Sequence, residues 1–562
     1  MSSLRPAQLG PIVGHTTDTT SRIWIRGAAG DEGADVNAHR RTVGVIAITH
    51  ENDRRPRKKR VYYFRLRREY DRTGTFTLGE EVGLKPADNR PVPLKPNTHY
   101  TVRVGTLHID DPSPELDSMP HDALAERLPD AMVWFNDLER LDPELSEASF
   151  TTFPAVGNEQ RPLSLLLGSC RYPGLLWKTR HSDAIFEPLL AEAQGRDGRP
   201  PVNMLLMVGD QIYADMLNRH IPLGLADTFE EFQERYHSAF GSRHMRKLLR
   251  QVPTYMILDD HEIEDNWHQD RIRRADSRRV FNLAINAYRS YQWVHGPTCY
   301  GDRLFYDFAC SGYPLFVLDT RTQRHMGDLG DSLRDNHLLG RPSLSEEEPS
   351  QLDLLLFWLK QSQQKFGNAP KFIVSASVFA PSPIDARTGR EGTDKQKIEW
   401  KEDSDSWPAF PNTREAILRT LIEHQIQNVV FLSGDIHCSN VAEIAFSGFA
   451  DAEKIRAFSI VSSALYWPFP FADGEPSAYV HDSKAEGQED SFEFSADGKV
   501  CKMDYRAWNF TQEDNFCRID VDPASHHIQV TTFSNKGQIL EAGGWFGLPG
   551  RPIQSQLKLA AW

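Results

Sequence analysis

Two patterns of apolar positions divide the chain. Over residues 1–160, short runs in which β-branched and aromatic residues alternate with polar ones are separated by turn-rich segments. These runs, Arg22–Arg26, Val43–Ile48, Val61–Leu66 and Tyr100–Val104, predict an all-β sandwich closed by a last strand near Phe150–Phe153. Ahead of that strand, residues 108–148 are rich in Pro and acidic residues and carry helical patterns at Asp122–Leu128 and Ala131–Leu141. A connection of that length is functional or separately folded. Over residues 161–562 the pattern changes. Wholly apolar runs of strand length, Leu163–Leu167, Asn203–Val208, Tyr255–Leu258, Leu315–Leu318, Phe372–Ser375 and Val429–Leu432, alternate with helical patterns at Asp183–Ala193, Ser277–His295, Gln351–Lys365 and Arg414–Gln425. This is α/β layering. The later runs Ala457–Val461, Phe516–Val521 and Ile528–Phe533 are expected to complete a second sheet.

Four of the apolar runs break at chemically active side chains. Leu163–Cys170 ends in a thiol. Val202–Asp215 stops at Gly209-Asp210, with Tyr213 three residues on. Tyr255–Glu262 ends in Asp259-Asp260-His261-Glu262, and Val429–His437 ends in Asp435 and His437. Buried parallel strands deliver such groups to their C-terminal edge, where ligands bind in α/β sheets. One crevice would thus collect Cys170, Asp210, Tyr213, Asp259, Asp260, His261, Asp435 and His437, hard oxygen donors with one soft thiolate, suited to more than one cation. Bland alternatives stand beside these readings: a helix cap for Asp210, an inert packed thiol for Cys170, a turn-fixing imidazole for His261. Arg321 and Arg324 follow Phe316–Leu318 and arrive at the same edge, either as forks for phosphate oxygens or as structural partners of Asp319 or Asp328. Arg171 is a weaker candidate for the same clamp.

The motifs Gly168-Ser169-Cys170, Gly209-Asp210-x-x-Tyr213, Asp259-Asp260-His261-Glu262 followed by Asn266-Trp267, Leu318-Asp319-x-Arg321-x-x-Arg324 and Ser433-Gly434-Asp435-x-His437 occur in one order over about half the chain. In these residues the chain resembles the alkaline phosphatase D (PhoD-like) family of metallophosphoesterases. The resemblance implies an α/β fold of αββα sandwich type behind a small N-terminal domain. Leu94-x-Pro96-x-Thr98-x-Tyr100 is similar to the tyrosine corner of fibronectin type III domains. The resemblance further implies that Cys170, Asp210 and Tyr213 hold a ferric ion, that Asp210 bridges to a second cation held by Asp260, and that Asp435 and His437 each reach a metal. Iron and calcium are the implied cations, with manganese or zinc as alternatives. His261 would face the phosphoryl group as a hydrogen-bond or proton donor, assisted by Arg321 and Arg324. Asp259 and Glu262 would either orient these groups or hold a further calcium. Ala409 stands where the family's Asp405-Ser406-Trp407-x-x-Phe410 loop leads one to expect Gly.

Composition narrows the function. The 562 residues suffice for two to four domains, and 40% hydrophobic with 25% charged residues is ordinary for a soluble globular chain. A net charge of −14 opposes general nucleic-acid binding. The basic run Arg54–Arg60 is accordingly read as a solvated loop rather than a guide for a nuclease. Met1–Gly10 has neither a leader pattern nor an arginine pair, and no run has membrane-spanning length. The expectation is a cytoplasmic protein with no membrane partner, exported only if a leader has been removed. The cysteines at 170, 299, 310, 438, 501 and 517 lack disulfide-framework spacing, and a reducing compartment keeps Cys170 available. The expected activity is metal-dependent hydrolysis of small phosphomonoesters and phosphodiesters, with a non-catalytic binding protein on the same scaffold as the alternative. Trp407, Phe410, Tyr466, Trp467, Phe469 and Phe471 are read either as an apolar rim for the ester group or as core.

Overall fold

The computed structural model describes the chain except residues 1–2, 28–39, 52–58, 87–89, 111–118, 156, 158–159, 175–178, 216–223, 328–332, 344–347, 382–406, 470–479, 486–490 and 543–549. Two antiparallel sheets form the N-terminal part. One orders Leu9–Thr16, Ser21–Arg26 and Thr73–Leu78; the other orders Val61–Arg65, Arg40–Glu51, His99–Asp110 and Glu147–Thr151. Alternation decides which side chains meet between them: Val13, Ile23, Ile25 and Phe76 face Ile46, Phe64, Val102, Val104 and Phe150. Tyr100 accepts a hydrogen bond from the Lys95 amide (2.9 Å) and donates to Glu51 (3.1 Å), as its position in the motif predicts.

The odd residues of the long second strand, Val43, Val45 and Ala47, point the other way. They pack with Leu124, Leu128, Phe135 and Leu138. Between the strands His99–Asp110 and Glu147–Thr151 the described chain is therefore a set of short helices, His121–Glu126, Ala131–Trp134, Phe135–Arg140 and Pro143–Ser146, the first three of which cover the outer face of this sheet. Local chemistry starts the last of these: Asp142 caps the Glu144 amide and Pro143 takes the first helical position. Of the basic run, residues 54–58 lie outside the described residues, and Lys59 sits over the Phe135 ring.

From Leu163 onward two larger sheets stack. The first orders Thr254–Met256, Met204–Met207, Leu163–Gly168, Asn515–Asp522, His527–Ser534 and Gln554–Lys558. The second orders Tyr306–Cys310, Tyr313–Val317, Lys371–Val374, Val429–Ser433, Ala457–Val461, Ser439–Ser447, Lys499–Thr511 and Phe492–Ala496. Leu165, Leu167, Leu206, Phe372, Val374, Val430 and Leu432 meet between the sheets. Their neighbours Leu166, Leu205 and Met207 pack instead under the helices Phe229–Phe240 and Ala275–Tyr291. Ile373 and Phe431 pack under Gln351–Phe366 and Pro411–Glu423. One expectation is corrected here: Asn515–Asp522 and His527–Ser534 extend the first sheet, not the second. Asn515–Asp522 pairs antiparallel with Leu163–Gly168, Cys517 opposite Leu167, because that edge was open and Cys517, Ile519 and Val521 fill the space between the sheets.

The N-terminal sheets are docked firmly. Leu9, Ile12 and Trp24 enter the helical core on the outer face of the first large sheet, and the Trp24 indole donates to Ser290 O (2.9 Å). Asp71 binds Arg26 (2.7 and 2.8 Å), His237 (3.0 Å) and Tyr291. Among the described residues no helix is long and apolar enough to cross a membrane.

Candidate metal centre

Leu163–Gly168, Met204–Met207 and Thr254–Met256 run parallel, so their C-terminal ends lie side by side, and Val429–Ser433 ends opposite them in the facing sheet. Hydrogen bonds between the turns lock the ends together. The Cys170 amide donates to Gly209 O (3.1 Å) and the Arg171 amide to Asp210 O (2.9 Å). The buried Glu262 carboxylate accepts from the amides of Asp210 (3.1 Å), Gln211 (2.7 Å) and Asp259 (2.8 Å) and from Gln292 (3.3 Å). Glu262 is thus the member of its motif that orients, and burial pushes its carboxyl up to about 7. The chain reverses sharply at four of the six residues expected to bind metal: Cys170, Asp210, Asp435 and His437 have φ of 56°, 56°, 71° and 51°. Space is equally tight. A Cβ at Gly209 would come within 2.5 Å of Asp259 Cβ, and one at Gly434 within 2.1 Å of Ser169 Oγ, which is why glycine precedes each aspartate.

These turns assemble three overlapping groups, in each of which the donor atoms lie within 4.8 Å of one another: Cys170, Asp210 and His437; Asp210, Asp260 and His261; Asp259, Asp260 and Asp435. All six residues expected to bind metal are brought together. Asp210 belongs to two groups, as a bridging carboxylate must. Tyr213 joins the first, its phenol oxygen 3.2 Å from Asp210 Oδ2 and 3.5 Å from His437 Nε2. Asp210 Oδ1 is buried and has no hydrogen-bond partner among the described residues. Burial, with Asp259, Asp260 and Glu262 adding to it, pushes the Asp210 carboxyl well above the usual range, and the nearby His261 pulls it back only in part. Burial and then Asp210 and Asp435 do the same to the Cys170 thiol, while burial lowers His437 to about 3, leaving a neutral imidazole. A concentration of buried acidic donors with an orphaned oxygen fits cations, which would relieve both the repulsion and the desolvation.

The two arginines differ from the expected phosphate clamp. Arg321 is fully buried among carboxylates, its Nε 2.5 Å from Asp259 and its Nη2 3.4 Å from Asp260 and 3.5 Å from Asp435. Its charge offsets theirs. Arg324 donates to Thr320 O (2.9 Å) and Ser377 Oγ (2.6 Å) and lies over Phe410. The expected rim also divides. Trp407 and Phe410 are fully buried in the core beneath the second large sheet, whereas the Trp467 ring lies flat on His437, 3.6 Å between centroids. Phe471, Asp405, Ser406 and Asp328 lie outside the described residues.

The family model for PhoD-like phosphatases matches residues 190–513, more than half of the chain. The chain belongs to that family. Alkaline phosphatase D of Bacillus subtilis (strain 168) is 24% identical over 247 residues, 42% of this chain and 40% of that protein. The match thus spans less than half of the relative's length. A solved structure of PhoD superposes with a TM-score of 0.59 at 16% identity, covering 94% of this chain and 87% of the other, and carries the likeness of fold through the N-terminal sheets. The PhoD-like match begins after Cys170, which geometry alone brings to Asp210 and His437.

Two residues of this PhoD-like centre escaped sequence reasoning. Asp215 lies 2.7 Å from His261 Nδ1 and also accepts from the Asp265 amide (2.7 Å); its signal was a second aspartate five residues after Asp210 on the same turn. Tyr172, two residues after Cys170, packs edge-on to Tyr213 and Trp467, and nothing but its place next to the thiol marked it.

Proposed function

We propose that the protein is a metal-dependent phosphoester hydrolase. The observation that carries this reading is the fusion of three donor groups through Asp210 and Asp260, supported by membership of the PhoD-like phosphatase family. Cys170, Asp210, Tyr213 and His437 would hold iron, and Asp210, Asp259, Asp260 and Asp435 calcium, with manganese or zinc as substitutes there. Cations so held supply positive charge for the phosphoryl oxygens and acidify water. The remaining steps belong to the chain. Water gives up a proton to solvent and adds to phosphorus in line with the ester oxygen, the P–O bond breaks, and the departing alkoxide takes a proton from His261, which regains one from solvent and whose Nδ1 Asp215 keeps engaged. Arg321 holds three carboxylates in place rather than gripping substrate.

The substrates are small phosphomonoesters and phosphodiesters, with diesters turned over at least comparably. The seven strands at the N-terminus, a three-stranded sheet against a four-stranded one with Tyr100 bonded back to Lys95, support a fibronectin type III-like domain over residues 1–160. The stacked sheets with helices outside both support a metallophosphoesterase sandwich over 161–562. Iron bound to thiolate and phenolate absorbs visible light. Purified holoprotein is expected to be coloured, to lose the phenolate part of its visible absorption in Tyr213→Phe, and to lose both colour and hydrolysis of p-nitrophenyl phosphate and bis(p-nitrophenyl) phosphate on chelation. A colourless, metal-free preparation that still hydrolyses either ester refutes the mechanism.

A further inference from the structure

We propose that Tyr172, Trp467 and Phe469 form a binding site beside the metal centre for an aryl or similarly flat apolar group of the phosphoester; this rests on the hydrolase reading and narrows its substrate class. The three rings are contiguous with the donor groups. Tyr172 stands edge-on to Tyr213 (5.1 Å between centroids), to Trp467 (5.5 Å) and to Phe469 (5.4 Å), and Trp467 meets Phe469 at 4.9 Å while lying flat on His437. Exposure rises along this series. Tyr172 and Tyr213 are buried, Trp467 is half-buried, and Phe469 is 39% exposed. A core cluster would close over its last ring; this one opens to solvent next to the reactive groups.

The wall is also preorganised. The Tyr172 amide donates to Tyr466 O (3.0 Å), the Tyr466 amide to Cys170 O (3.2 Å), and the Trp467 amide to Asp514 Oδ1 (3.0 Å). The aromatic segment is therefore tied by backbone bonds to the same turn that carries the thiol, and a ligand need not order it. The Trp467 indole N–H is buried and has no partner among the described residues, although buried indoles usually find one. None of the three rings carries a charge, so the wall gains nothing from the second negative charge of a monoester, whereas a flat ring gains aromatic contacts with Phe469 and the open side of Trp467, with Tyr172 backing them from beneath. An apolar, aromatic lining is the usual composition of a small-molecule site.

Phenylphosphonate and methylphosphonate carry the same charge and the same phosphonyl group, and neither is hydrolysed. Calorimetric titration of the holoprotein is expected to show the phenyl compound binding about tenfold more tightly. In Phe469→Ala that preference is expected to shrink about two- to tenfold, the size of one aromatic contact. Because Phe469 is partly exposed, its truncation does not threaten folding, and far-ultraviolet circular dichroism checks this. The kinetic counterpart is the ratio of kcat/KM for bis(p-nitrophenyl) phosphate over methyl p-nitrophenyl phosphate, which share a leaving group; Phe469→Ala is expected to lower it through KM. Equal affinity for the two phosphonates, or a preference that survives Phe469→Ala, overturns the aryl site. Turnover without aryl preference overturns the aryl site alone, and aryl preference without turnover of any ester overturns the hydrolase reading alone.

Discussion

Asp215 is assigned no metal, yet its carboxylate decides what His261 can do. Burial opposes the imidazolium, but Asp215, then Asp260 and Asp210, outweigh it and hold His261 well above its ordinary value. Removing the Asp215 charge therefore lowers that value. Asp215→Asn is expected to reduce kcat about 10- to 100-fold, the usual loss for a partner that orients a histidine, with KM little changed. The alkaline limb of the pH–rate profile is expected to move to lower pH, because the proton donor is lost sooner. An unmoved profile with undiminished kcat would assign Asp215 to the turn alone. The strand-end residues were legible from sequence because a polar group that ends an apolar run is conspicuous. Arg321 was legible as present at the edge but not in its partners, since a guanidinium fork fits carboxylates and phosphates equally well.

At the scale of elements, apolar runs revealed where strands lie but not whom they pair with. Asn515–Asp522 reads the same whichever sheet it joins, and only the open edge beside Leu163–Gly168 decides. The short helices over the four-stranded sheet were visible as helical patterns, while the face they cover emerged only from the assembled sheet. Lys371 shows how an element end stores a pH dependence. It opens the strand Lys371–Val374, and its buried ammonium donates to Gly367 O (2.6 Å) and Ala369 O (2.9 Å), just past the helix Gln351–Phe366, and to Gln427 O (3.2 Å). Burial lowers its pKa from 10.5 to about 7. Between those values the unfolded chain binds the extra proton, so this residue's contribution to stability rises with pH, and below about pH 7 it is flat. Urea midpoints at about pH 7 and about pH 9 are expected to diverge between wild type and Lys371→Met, wild type gaining at the higher pH; parallel shifts would remove Lys371 from the account.

For the molecule as a whole, the division at residue 160 was legible as a change of periodicity, but the way the parts join was not. Trp24 looked like an ordinary strand residue, and it lies in the helical core of the larger part. The same is true of Asp71, whose hydrogen-bond partners Arg26, His237 and Tyr291 are 45 to 220 residues away. Such contacts depend on how finished surfaces meet, which no local pattern encodes. The left-handed turns at Cys170, Asp210, Asp435 and His437 bear on the entire fold. That conformation costs a non-glycine residue about 1 kcal/mol, and here it is combined with crowded carboxylates. Strained turns and crowded carboxylates thus meet at one place, and cations held there would offset both. Asp435→Gly relaxes one such turn, so without metal this variant is expected to melt no lower than metal-free wild type, whereas saturating metal should raise the Tm of wild type well above that of the variant. A metal-free variant that melts clearly below metal-free wild type would mean that Asp435 supports the fold by itself. If it does not, the empty protein is a strained intermediate whose lifetime in a cell is set by how quickly metal reaches it.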